Sequence, residues 1–301
     1  MPGFGFFEPV VIFTLLNVTM ALGLYITAMS GQLSMATAAI AGVGGYFSGV
    51  LTVKFGVPFI PAVIAAMSAG GLVGGMLAVL TAKMRDFILK LTTLAFGEAL
   101  SVLAFNWDYI GGANSFTGLK LETGLGTCGV ALAVALYVAW RFDGSRLGIA
   151  ARAVRDDPLA AAAMGISVAA LRIITFALGG SIVGMAGAVQ AHYVLVISPS
   201  DLGFFVSLNY IIFLLFGGMQ TMWGPILGAV LLTVLPEALR FAKEYRLIVY
   251  GVIIVAVVLW RPDGLVRRIP TGVSKRFMGV TFGRGLATRT PAMSAKIEPA
   301  R

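Results

Sequence analysis

Long apolar runs broken by short polar connections dominate this chain of 301 residues. Runs near 9–28, 34–53, 58–81, 87–105, 125–140, 172–192, 205–222, 224–239 and 247–260 approach or reach the ~20 residues that carry a helix across a bilayer. They predict an all-α, polytopic transmembrane helix bundle of about 8–10 spans. Between 205 and 239 the sequence FGGMQTMWGP interrupts the run, and Pro225 just after Gly224 favours a break over one continuous helix. It reads either as a tight cytoplasmic turn or as the broken tip of a re-entrant pair.

The longest polar interruption, 141–172, carries a short helix with its own start and stop signals. Asp157 suits the N-cap and Pro158 the first helical position, where no amide donor is needed. Leu159–Met164 are mostly strong helix formers, and Gly165 can take the left-handed conformation that ends a helix. Two turns are marginal in water alone. A small apolar face flanked by Arg152, Arg155 and Arg172 therefore reads as a plug for a partner protein.

Composition agrees with lipid as the main solvent: 58% of residues are hydrophobic and only 12% charged, about half the charge of an ordinary globular chain. A net charge of +9 raises nucleic acid as a partner, but its placement argues for topology instead. With the N-terminus outside, 17 of the 22 basic residues fall on the cytoplasmic side, nine of them from Arg261 onward. The outer side keeps Lys54, Lys120, Arg240, Lys243 and Arg246. Residues 1–266 then form the transmembrane domain, with a cytoplasmic loop at 141–172, and 267–301 a basic, disordered cytoplasmic tail. No cleavable leader is read at the start of the chain.

Many of the 38 glycines stand at small-xxx-small spacing: Gly45/Gly49, Gly70/Gly74, Gly71/Gly75, Gly180/Gly184 and Gly224/Gly228. They let helix backbones approach closely and predict a tight bundle. Charge at bilayer depth is costly, which singles out Glu98 in LTTLAFGEALSVL as either a path-lining carboxylate or a group bonded to a neighbouring helix. Asn17, Gln32, Asn209 and Gln220 could line a path or knit helices. The lone His192 reads as packing, and Cys128 as a buried small residue.

No GxxxxGK[ST] loop, no clustered metal ligands, no GxSxG elbow and no HExxH pair occur. The pattern is that of a chain that moves something and is not an enzyme. A stand-alone secondary transporter or channel would need its own coupling carboxylates, for which Glu98 is the one good candidate.

Several blocks carry a family resemblance. Gly31-Gln32-Leu33-Ser34 is followed by Ala41-Gly42-Val43-Gly44-Gly45-Tyr46, then Leu91–Glu98, and Gly111-Gly112-Ala113-Asn114 with Thr117-Gly118. Ala151–Asp157 leads through Met164-Gly165-Ile166 to Gly217-Gly218-Met219, Trp223-Gly224-Pro225 and Arg261–Leu265. As a set, over roughly 20–266, these resemble the LivM-type permease subunit of branched-chain amino-acid ABC importers. The resemblance implies an ABC importer permease fold in a bacterial inner membrane, working by alternating access. It makes Arg152, Arg155, Asp156, Asp157, Pro158, Ala161, Met164 and Gly165 the ATPase-coupling loop. It leaves Gln32, Ser34, Glu98 and Asn114 as candidates for the translocation path. The implied partners are a second, LivH-like permease, two ABC ATPase subunits and an extracytoplasmic binding protein. ATP and Mg would sit on the ATPases, and this chain would hold no cofactor, no metal and no nucleic acid. Urea, amides or another small polar solute are alternative cargoes.

Overall fold

A computed structural model describes residues 4–82, 84, 86–239, 246–260 and 264–266. All described regular structure is helical: α1 (Phe4–Ala28), α2 (Thr37–Lys54), α3 (Phe59–Thr81), α4 (Asp86–Phe105), α5 (Leu125–Asp143), α6 (Arg146–Asp156), α7 (Pro158–Ala163), α8 (Val168–Val194), α9 (Phe204–Gly217), α10 (Trp223–Ala238) and α11 (Arg246–Trp260). The tail expected at 267–301 lies outside the described residues. Among the described residues, five helices are long and apolar enough to cross a membrane alone: Phe7–Ala28 of α1, α3, Phe87–Phe105 of α4, α5 and α8.

The longest helix, α8, organises the bundle, and glycine is the reason. Across from Gly180 and Gly184 stand Gly70 and Gly74 of α3, so close that a methyl at Gly184 would lie 2.6 Å from the Ala66 carbonyl oxygen. On another face, a methyl at Gly179 would meet the Gly23 carbonyl oxygen of α1 at 2.5 Å, while Gly184 and Gly187 abut Gly44 and Ala41 of α2. Lipid removes the hydrophobic drive between helices, so such backbone-to-backbone contact is what van der Waals attraction needs. Elsewhere the packing uses small side chains. Cys128, Ala131, Ala135 and Ala139 form a buried stripe along α5, while Val130, Tyr137 and Trp140 point outward. His192 is buried, with Nδ1 on the Ala188 carbonyl at 2.9 Å and Nε2 on Thr52 Oγ1 at 3.1 Å, its ring edge-on to Phe59. It packs.

At 14 and 16 residues, α9 and α10 span about 21 and 24 Å, less than the ~30 Å hydrocarbon core. Their connection nonetheless reaches the end of the bundle that carries α6, because the Met219 carbonyl accepts a bond from Arg155. The sequence FGGMQTMWGP is thus a turn at that end, closed by Gly218 at φ +105°, and α9 is short because the chain before it, a 3-10 turn at Pro199–Leu202, drops into the bundle beside α4. Gly217 and Gly224 hold the two helices in backbone contact at the turn, and Leu265 and Val266 donate to the Phe216 and Gly217 carbonyls.

Candidate functional site

Two short helices between α5 and α8 build the site. Ser145 caps α6: its Oγ accepts from the Gly148 amide at 3.1 Å. An amphipathic sequence, RLGIAARAVRD, follows, and it buries Ala151 and Val154. Asp157 then ends α6 and starts α7 together. Its Oδ1 accepts from the Leu159 and Ala160 amides at 2.9 and 3.0 Å, which satisfies two donors that a helix start leaves open. Pro158 occupies the first turn, and Gly165 closes α7 at φ +83° with its amide on the Ala162 carbonyl.

The result is a rigid two-turn knob whose sequence, Pro-Leu-Ala-Ala-Ala-Ala, offers the surrounding water no polar side chain. Of α7 only Ala161 is buried, whereas Leu159 is 84% exposed and Met164 83%. Exposed apolar side chains on a polar connection between two spanning helices mark a docking surface.

Below the knob, charge fixes α6 to the bundle. Arg152 Nη1 lies 2.5 Å from Asp143 Oδ1 and 3.0 Å from the Asp143 carbonyl, and the Tyr25 hydroxyl donates to the same Oδ1 at 3.1 Å. So α6, the end of α5 and the end of α1 share one carboxylate. Arg155 reaches the other way: Nε pairs with Asp156 at 3.3 Å, and Nη1 donates to the Met219 carbonyl at 3.2 Å. The Arg155 backbone also packs on Gly31, whose φ of +81° leaves room where a methyl would lie 3.0 Å from the Arg155 Cα. Both guanidinium groups, placed by the resemblance in the ATPase-coupling loop, are engaged within this chain. Asp156 is left exposed at the edge of the knob.

Gly31 belongs to an irregular segment, 29–36, that fills the bundle between α1 and α2. Here the Met35 amide donates to Thr93 Oγ1, about 10 Å along α4 from Asp86, and Thr175 donates to Ser30 Oγ at 2.9 Å. Non-helical backbone at such depth persists only where protein buries it or a cavity adjoins it. Ser34 is buried and its Oγ accepts from the Ala36 amide. Gln32 is 2% exposed, yet among the described residues neither end of its amide has a hydrogen-bond partner. Buried polar groups are nearly always bonded, so this orphan stands out.

The other path candidates lie apart. Glu98, exposed on α4, caps α9: Oε1 accepts from the Phe204 amide at 2.7 Å, a favourable place for a carboxylate at a helix start. Asn114 is exposed in a 3-10 turn at Gly112–Asn114, two residues before the Phe116–Ile197 bridge. The recess beside Glu98 is lined by Ala99, Val102, Leu103 and Asn106 and by none of the other three candidates. Glu98→Leu is expected to destabilise the protein by about 1 kcal/mol through loss of this cap, whereas Glu98→Gln keeps an acceptor and costs less; paired thermal melts in detergent read the difference. Sequence reasoning missed Tyr25 and Met219, whose partners lie 118 and 64 residues away, and Asp143, which pairs with Arg152 across the start of α6. It also missed α6, for which Ser145 before an amphipathic run was a usable signal.

A family model described as branched-chain amino acid transport system, permease component, matches residues 7–258. The chain is 26% identical to the high-affinity branched-chain amino acid transport system permease protein LivM of Escherichia coli K12, over 84% of this chain and 68% of the relative. A probable LivM of Methanocaldococcus jannaschii is also 26% identical, over 69% and 68%. The permease LivH of Salmonella typhimurium is 27% identical over 54% of each chain. No solved structure matches.

Proposed function

The chain belongs to the branched-chain amino acid transport permease family, and from that footing we propose that it is one membrane subunit of an ATP-driven importer for branched-chain amino acids. It is a multi-pass membrane protein with a transport role rather than an enzymatic one. In this reading it pairs with a second, LivH-like permease in the cytoplasmic membrane, two ATPase subunits dock from inside, and a binding protein delivers substrate from outside. The N-terminus lies outside and the basic tail inside, as the positive-inside count favours. ATP and Mg are held by the ATPases.

The observation that carries the proposal is the α7 knob: an apolar helix 84% exposed at Leu159, capped at both ends and anchored through α6 to three parts of the bundle. Such an element can transmit displacement only if it is stiff and seated in a partner. Arg155 extends the linkage, because its side chain holds the α9–α10 turn and its backbone holds segment 29–36. A push on α7 therefore reaches the interior at two places, which suits alternating access.

The test is uptake of labelled leucine into proteoliposomes that contain this chain, its second permease, both ATPases and the binding protein. ATP-dependent accumulation is the expected result. Accumulation by this chain alone, without nucleotide, would instead establish a secondary transporter.

Gln32, Ser34, Glu98 and Asn114 remain proposed path residues, and Gln32 has the strongest claim because its amide is orphaned. Gln32→Leu is expected to leave the melting temperature unchanged or higher, since it removes an unpaired buried amide, and to slow uptake severalfold. A melting temperature lowered by more than a few degrees would mean that the amide has a structural partner.

A further inference from the structure

At the end of α8 opposite the knob, a recess of about 260 Å³ opens between α1, α2, α8 and α9. Its walls are mainly apolar, with Phe13, Val194, Val196, Ile197 and Val206 among them. Gln190, Asp201 and Tyr210 are its lining residues with polar side chains. Asp201 is exposed, and its Oδ2 accepts from the Ser198 amide at 3.0 Å, which steadies the side chain and leaves Oδ1 open. Gln190 is half-buried and makes no hydrogen bond among the described residues.

We infer that this recess is a binding site for an aliphatic α-amino acid, with the ammonium on Asp201 and the branched side chain against the apolar wall. The volume corresponds to roughly nine water molecules, and leucine or isoleucine has about as many non-hydrogen atoms. A mostly apolar pocket with a few convergent polar groups is what such a ligand requires. The Phe116–Ile197 backbone bridge, 2.9 and 3.0 Å, pins one wall, so the recess is held open without the ligand. None of the coupling residues touches it. The site rests on the importer function proposed above and adds to it a place where this subunit itself reads the substrate.

Asp201→Asn tests the charge alone, because asparagine keeps an oxygen to accept from Ser198. In proteoliposomes of the complete importer, the KM for leucine should rise about tenfold or more, the worth of a charge-assisted bond, while ATPase activity without substrate stays at the wild-type rate. A diazirine analogue of leucine should label the wild-type chain on illumination at the segments that line the recess, around 13, 38–45 and 187–210, and unlabelled leucine should compete. The proposal requires both results. An unchanged KM, or label confined to other segments, overturns the site while wild-type uptake leaves the importer function standing. Absence of wild-type leucine uptake overturns that function and this site together. Label displaced by phosphatidylethanolamine in the vesicles, but not by leucine, assigns the recess to a lipid headgroup and overturns the proposal.

Discussion

Leu159→Asp combined with Met164→Asp is expected to abolish capture of the ATPase subunits while leaving the permease folded. Each side chain is more than four-fifths exposed, so neither contributes to the core of this chain, and exposed substitutions usually change stability by less than about 0.5 kcal/mol. An aspartate at 159 even suits the start of α7, where a helix favours negative charge. In the proposed complex with the ATPases both positions would be apolar anchors. Truncating such an anchor costs about 2 kcal/mol or more, roughly thirtyfold in Kd each. Burying an unpaired carboxylate adds several kcal/mol, so the double variant should lose well over a thousandfold in affinity. Co-purification with a tagged ATPase from detergent extracts reads this directly. The variant should elute as monodisperse permease without ATPase. Stoichiometric ATPase in that peak would sink the docking role of α7.

The second large effect is on folding. Gly184→Ala is expected to destabilise the bundle by at least about 1–3 kcal/mol, and Gly129→Ala to leave it unchanged or up to ~1 kcal/mol more stable, although the chemical change is the same. At Gly184 the new methyl would lie 2.6 Å from the Ala66 carbonyl oxygen and 3.0 Å from the Gly70 Cα. Both obstacles are backbone, so no rotamer change relieves them and α3 must move away from α8. On the side toward α2, the Gly44 backbone already abuts the Gly184 carbonyl, so the shift cannot be absorbed there. At Gly129 nothing lies within 4 Å, and the helix gains a better helix former. Thermal melts of the two purified variants, read by loss of monodispersity, should move in opposite directions or differ by many degrees. Equal melting temperatures would refute the close-contact account.

Local signals in the sequence were legible and distant ones were not. Asp157, Pro158 and Gly165 announce α7 because capping chemistry acts within three or four residues. Hydropathy likewise marks the long spans, though α8 begins at Val168 rather than near 172, because Ser167 caps it with its Oγ 3.4 Å from the Ala170 amide. Spacing marked Gly70/Gly74 and Gly180/Gly184 as contact-prone, yet nothing in either pair says that they face each other across more than a hundred residues. Glu98 was read as a path group or a group bonded to a neighbouring helix. Its acceptance from the Phe204 amide, 106 residues away, fits the second description and is invisible to any local pattern. The two arginines beside α7 were read by charge alone, and charge does not tell a partner's carboxylate from Asp143 in the same chain.

The glycine contacts of α8 also decide which parts of the molecule can move. Side chains give a helix interface slack, because rotamers can readjust while backbones slide. Where backbone meets backbone, as between α8 and each of α1, α2 and α3, that slack is absent and relative sliding would mean collision. These four helices must therefore travel as one body through any transport cycle. Hinge motion is left to helices tied in by side chains and single hydrogen bonds, above all α4, held to the start of α9 by Glu98, and the α9–α10 hairpin, held to α6 by Arg155. The machine divides into a stator without side-chain cushioning and a rotor on polar pins.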